Sequence, residues 1–262
     1  MLVLEEIDYA LLVDTAVLAG EIMLKNGAET NIVEETIEKI LKTQNMKHIE
    51  AVVMTTSIVA TMSDPEITPI TVVRRIKERE TNLNKVYLVN QVVEKFCEQE
   101  ISLEEIFKEL KEIKSYNTYK EWLINICLML IPPLFVLMLN GKNLDTLTAL
   151  ICGCILVLVS KIGKKLKANT FMINFFATFL ISIISVLSNR VIGTNVDLVI
   201  IATIMPLVPG VAVTNAAMDS LNGDYVSGIA KILEAVIKAS SIAIGVGMGI
   251  GVFNMVLGGI NL

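Results

Sequence analysis

The chain has 262 residues, 53% of them hydrophobic, and a formal net charge of −5. That apolar share is only slightly above the ~45–50% of soluble domains, but it is unevenly spread. Residues 1–121 hold 22 acidic and 14 basic side chains (net −8), and residues 122–262 hold 5 and 8 (net +3) among long apolar runs. The pattern predicts an N-terminal α/β domain, residues 1–121, joined to a membrane α-helical bundle, residues 122–262. Negative charge and the lack of a basic stripe exclude nucleic acid as a partner. Cys97, Cys127, Cys152 and Cys154 form neither a disulfide framework nor a metal-ligand spacing, so no metal and no cofactor is expected.

The first residues carry Glu5, Glu6, Asp8 and Asp14 and no positive stretch, unlike a secretory signal, so the N-terminal domain is expected in the cytoplasm. Residues 7–25 read as a helix with Ile7, Leu11, Leu18 and Ile22 on one face, and Gly27 as its stop. A second helix is expected from Asn31, with Glu34 completing a capping box. The run HIEAVVMTTSIVATM, residues 48–62, has strand composition, and PITVVRRI is a further strand. Residues 83–97 return to helical spacing, and Ser102 with Glu105 opens a last short helix. No phosphate-binding glycine motif occurs.

Five spans are predicted in the membrane half, near residues 122–139, 144–159, 171–187, 196–218 and 226–257. The fifth exceeds what one crossing needs. Trp122, with Tyr116 and Tyr119, suits an interfacial anchor. Lys161, Lys164, Lys165 and Lys167 follow span two, and Lys111, Lys114 and Lys120 precede span one. Only Lys142 and Arg190 lie on the other side. The bias predicts a multi-pass protein of the cell membrane with its N-terminus in the cytoplasm.

Within span four, IMPLVPGVAVTN interrupts the helix with Pro206, Pro209 and Gly210. Each proline removes a backbone donor. In hydrocarbon, a broken helix survives only where it lines a cavity or is buried in protein. With Thr214 and Asn215 just beyond, the break is a candidate solute site, against the alternative of a packing kink. Asp219 and Asp224 flank an Asn222-Gly223 turn and suit gating or capture of a cationic group, or a solvated loop. Glu234 and Lys238, four apart in span five, form a candidate coupling pair or a neutralised surface pair.

Asn174, Thr178, Ser182 and Ser185 share a helix face and are expected to hydrogen-bond between helices. Gly245, Gly247, Gly249 and Gly251 make two overlapping G-x-x-x-G pairs for close packing. In the N-terminal domain, Thr55, Thr56 and Ser57 suggest a nucleophile, but the only histidine, His48, is poorly spaced to serve it. The run of Arg74, Arg75, Lys77, Glu78, Arg79 and Glu80 reads as a solvated charged face.

Four segments, AGEIMLKNGAETNIVEETI, TTSIVATM, RRIKERETNLNKVYLVNQ and residues 195–235 around MPLVPG, together resemble the threonine/serine exporter family, in its larger, YjjP-type half. The resemblance implies export of small amino acids such as threonine or serine by proton-coupled antiport, without enzymatic activity. It also implies two alternatives: export of a dicarboxylate such as succinate, and a membrane-tethered hydrolase. A small second membrane subunit and an oligomeric assembly are the implied partners. The family's MPLVPG segment falls on Met205 to Gly210, with Thr214, Asn215 and Asp219 following.

Overall fold

The structure, a computed structural model, describes residues 8–44, 46–65, 67–77, 79–116 and 119–257. Glu5, Glu6, Ile7 and Glu78 lie outside the described residues. The chain divides into two units, one of Met1–Thr118 with Val211–Leu233, the other of Tyr119–Gly210 with Glu234–Leu262. The first unit thus takes in a 23-residue stretch from beyond residue 122, between the two segments of the second.

The first unit begins with α1 (Tyr9–Lys25), capped by the Asp8 carboxylate accepting from the Leu11 N–H. Burial on nearly every face, from Leu12 through Leu24, makes α1 the central helix. It ends at Gly27, whose φ of +95° suits only glycine without strain. The following helix, α2 (Thr30–Leu41), has Glu29 at its N-cap and no side-chain cap, so the capping box expected at Asn31 and Glu34 does not form. Glu34 instead accepts from the Val53 N–H at 2.7 Å.

The strand-like run from His48 is a hairpin rather than one strand. β1 (His48–Met54) and β2 (Ser57–Asp64) turn at Thr55-Thr56, and β3 (Ile67–Arg75) completes an antiparallel sheet in the order β1-β2-β3. Ile58, Ala60 and Met62 alternate onto the buried face of β2, as a pleat with one covered side requires. α3 (Leu83–Cys97) is capped by Asn82. α4 (Leu103–Ser115) carries the expected Ser102–Glu105 capping box. Leu12, Ile22, Ile37, Ile40, Ile58, Ile106 and Leu110 close one core between helices and sheet.

The second unit holds α5 (Glu121–Met138), α6 (Asn143–Lys165), α7 (Thr170–Ile192) and α8 (Val196–Ile204). A 3₁₀ turn, Met205–Leu207, extends α8, and the chain resumes as α9 (Gly210–Leu221) and α10 (Tyr225–Leu257). α5, α6, α7 and α10 are each long and apolar enough to cross a membrane, and the bent pair of α8 and α9 makes a fifth candidate span. Many of their large apolar side chains face outward, among them Leu134, Leu158, Phe176 and Met248, as in a bundle solvated by lipid.

Two sequence boundaries move. Lys161, Lys164 and Lys165 belong to the last turns of α6 rather than to a loop, where their charge complements the helix dipole. Arg190 likewise lies in the last turn of α7.

Pro132 and Pro133 lie inside α5 without breaking it. The N–H missing at Pro133 frees the Met129 carbonyl, and Gly153 of α6 packs so closely on that oxygen that a Cβ would meet it at 2.5 Å.

Candidate functional site

The break in span four is at Val208. Met205 keeps helical angles ahead of Pro206, whereas Val208, ahead of Pro209, is extended at φ −63° and ψ 128°. A residue before proline is biased toward that region. Pro206 lies within the 3₁₀ turn that continues α8, where it removes a donor from the last turn. The Val208 N–H reaches only the Met205 carbonyl, at 3.3 Å, and the two helical pieces are bent by 55°. Pro206, Pro209 and Gly210 lie in the second unit, and Thr214, Asn215 and Asp219 in the first.

Within the first unit, α9 and the turn that follows it grip the turn between α1 and α2 at three points. The Asn215 amide donates to the Gly27 carbonyl at 2.7 Å. The Thr30 N–H donates to Asp219 Oδ1 at 3.2 Å, and the Thr30 hydroxyl to Asp224 Oδ2 at 3.2 Å. Asn215 and Asp219 are one helical turn apart, so they share the face of α9 that meets the turn. Thr214, on a neighbouring face, donates to the Val211 carbonyl.

Asp219 is 0% exposed, and its Oδ2 lies 2.6 Å from Lys231 Nζ, whose side chain is 7% exposed. At that distance the two form a buried, charge-assisted ion pair. Removing two such charges from water costs several kcal/mol per ion, offset only by good mutual geometry.

Lys231 is the functional candidate that sequence reading missed. The Asn222-Gly223-Asp224 turn, with Gly223 at φ +94°, folds α10 back beside α9. Helical side chains lean toward the N-terminus, so Lys231 leans back toward the level of Asp219. Gly228 lets the helices close, since a Cβ there would meet the Ala216 carbonyl at 3.0 Å.

Glu34 lies near this cluster. Burial pushes its carboxyl above the ordinary value, the Val53 N–H opposes the rise, and the charges of Asp224 and Glu38 add to it. Arg74 pairs with Asp14 at 2.5 Å and with Glu21, which also meets Lys114 at 2.7 Å. Arg74, from the charged run at 74–80, therefore ties β3 to α1, and Lys114 ties α4 to it.

In the second unit, Lys238 donates to Glu234 at 2.8 Å, an i,i+4 pair about one-third exposed at both ends. Asn174, Thr178, Ser182 and Ser185 are all buried in the bundle. Their hydroxyls mainly return to their own helix, Thr178 to the Asn174 carbonyl, Ser182 to Thr178 and Ser185 to Ile181. A carbonyl one turn back is the nearest acceptor in an apolar bundle. Of these four, Ser185 makes a link to another helix among the described residues, a long contact with Cys152, and Thr148 with Ser188 at 2.7 Å adds a link outside the stripe.

Of the glycine series 245–251 in α10, Gly245 and Gly249 pack against α7, each 2.6 Å in Cβ terms from a carbonyl, of Phe175 and Phe179. Gly247 and Gly251 face open space. Asp145 joins two loops of this unit, accepting from the Asn195 N–H at 2.7 Å and the Lys142 N–H at 2.9 Å.

His48 and Ser57 are not brought together. Ser57 pairs with Met54, and His48 pairs with Ser63 at the far end of β1. At ~3.4 Å per residue the two are roughly 20 Å apart along the strand.

A family model described as "Putative threonine/serine exporter" matches residues 14–253. A "Probable threonine/serine exporter" of Mycobacterium tuberculosis is 17% identical over 235 residues, covering 89% of this chain and 44% of that protein. This chain therefore spans under half the length of that relative. A "Probable succinate transporter subunit YjjP" of Klebsiella aerogenes is 24% identical over 237 residues, 89% of this chain and 90% of that protein. No solved structure matches. A span broken at a proline pair, a bundle with lipid-facing apolar surface and a family match running from α1 into α10 agree: the chain belongs to the threonine/serine exporter family.

Proposed function

We propose that this protein is one subunit of a secondary exporter that moves small amino acids such as threonine or serine out of the cell by antiport with protons. The lysine bias supports a cytoplasmic N-terminal domain, with the bundle in the cell membrane. In this reading Pro206, Pro209 and Gly210 open the fourth span, Thr214, Asn215 and Asp219 meet the solute, and Glu234 with Lys238 carries the coupling. The observation that carries it is the broken span of residues 196–221, apolar enough to enter a membrane yet interrupted at Val208. Backbone groups freed there need partners that hydrocarbon cannot supply. The relative named as a subunit supports a small second membrane subunit as partner, in an oligomeric assembly.

A dicarboxylate such as succinate is the second reading, favoured by the near-equal length of the relative named as a succinate transporter subunit. The separation of His48 from Ser57 gives a hydrolase reading no support.

Efflux of radiolabelled threonine, serine and succinate from cells expressing the chain, with and without a small family partner, tests the proposal. Efflux of threonine or serine that collapses with the proton gradient is the expected result. Succinate efflux alone would select the second reading, and efflux of none of the three with the partner present would overturn both.

A further inference from the structure

We propose that Lys231 is the receptor for the carboxylate of the transported solute, and that Asp219 holds that place in its absence. The inference rests on the exporter reading above.

Lysine on a helix normally extends its ammonium to water. Lys231 instead buries it, with the side chain 7% exposed, against a carboxylate that is fully buried. An ammonium has three donors, and among the described residues Asp219 Oδ2 is the one polar partner of Nζ. That ion pair, at 2.6 Å, leaves two of its donors for another ligand. Asp219, by contrast, has a second anchor, since its other oxygen accepts from the Thr30 N–H on the α1–α2 turn. Lys231 can therefore exchange partners while Asp219 keeps one. Glu234 and Lys238 lack these features: they are about one-third exposed and four residues apart on one helix.

Threonine, serine and succinate share one group, a carboxylate. They differ in what accompanies it. A zwitterion entering between Asp219 and Lys231 gives its carboxylate to the ammonium and its own ammonium to Asp219, so that both buried charges stay paired. A dicarboxylate satisfies Lys231 but turns a second negative charge toward Asp219, and like charges at close range in a buried site are strongly unfavourable. Lys231 thus supplies affinity for the carboxylate, and Asp219 supplies selection for a zwitterion.

Equilibrium binding of radiolabelled L-threonine and succinate to the purified full chain tests this, with efflux measured in parallel. The wild type is expected to bind threonine in preference to succinate. K231M should lose both by at least tenfold, and K231R should keep both. D219N should shift the threonine-to-succinate ratio at least tenfold toward succinate. Since either single change leaves a buried charge unpaired, D219L/K231M serves as the folded control: paired apolar replacement is often neutral for stability, and this variant should melt near the wild type and bind neither solute. Unchanged affinities in K231M, an unchanged ratio in D219N, retained binding in D219L/K231M, or no binding by the wild type would each overturn the proposal. Wild-type efflux that persists alongside such a result leaves the exporter reading standing. Absence of wild-type efflux removes that reading, and this one with it.

Discussion

Glu34 shows how one side chain can be read correctly as polar and wrongly as to partner. Its spacing from Asn31 fits a capping box, but its carboxylate crosses to the Val53 N–H on β1. Its carboxyl is raised from an ordinary 4.5, chiefly by burial. A carboxyl raised on folding binds protons more tightly in the folded state. Its ionisation therefore costs stability above the folded pKa, and the cost disappears below 4.5. Glu34→Gln keeps an acceptor for Val53 and removes the charge facing Asp224 and Glu38. The variant should melt at a higher temperature than the wild type at pH 7, with the difference closing as pH falls through the carboxylate range; thermal melts across that range check it.

At the scale of elements, periodicity and capping residues located most helices, because both act within a few residues. Ser102 and Glu105 cap α4 as read, and α3 runs from Leu83 to Cys97. Two features depended on what lies opposite. The glycine series of α10 offers two equivalent faces in sequence, and only Gly245 and Gly249 meet α7. Gly249→Val should therefore lower the melting temperature of the detergent-purified protein by several degrees, and Gly247→Val should leave it within about a degree. The prolines are the other case. Pro132 and Pro133 stay within α5, while Val208 before Pro209 leaves helical geometry. Pro209→Ala returns a donor and lifts the constraint on Val208. Efflux by that variant should fall at least tenfold while its level in the membrane is unchanged, whereas a packing kink alone would leave efflux near normal.

For the whole molecule, the charge asymmetry at Trp122 marks where the apolar helices begin, but the first unit also includes Val211–Leu233. α10, at 33 residues, spans ~50 Å and contributes to both units. Single cysteines placed at Lys142 and Lys167 in a cysteine-free background report sidedness. A membrane-impermeant maleimide on intact cells should label position 142 and spare position 167, and the reverse pattern would invert the assigned orientation.

By itself, the sequence determined the division into charged and apolar halves, the long membrane helices and the break near Pro209, because hydropathy, caps and proline sterics are local in the chain. It also carried the family, through motifs spread along most of its length. The tertiary structure alone decided which polar groups meet. Asn215 reaches Gly27 across 188 residues of sequence, and Thr30 reaches Asp219 across 189. Asp219 meets Lys231 only because a glycine turn folds one helix back on the other. Such pairings are set by the packing of whole helices and by the cost of burying a charge without a partner, and no spacing within the chain encodes either.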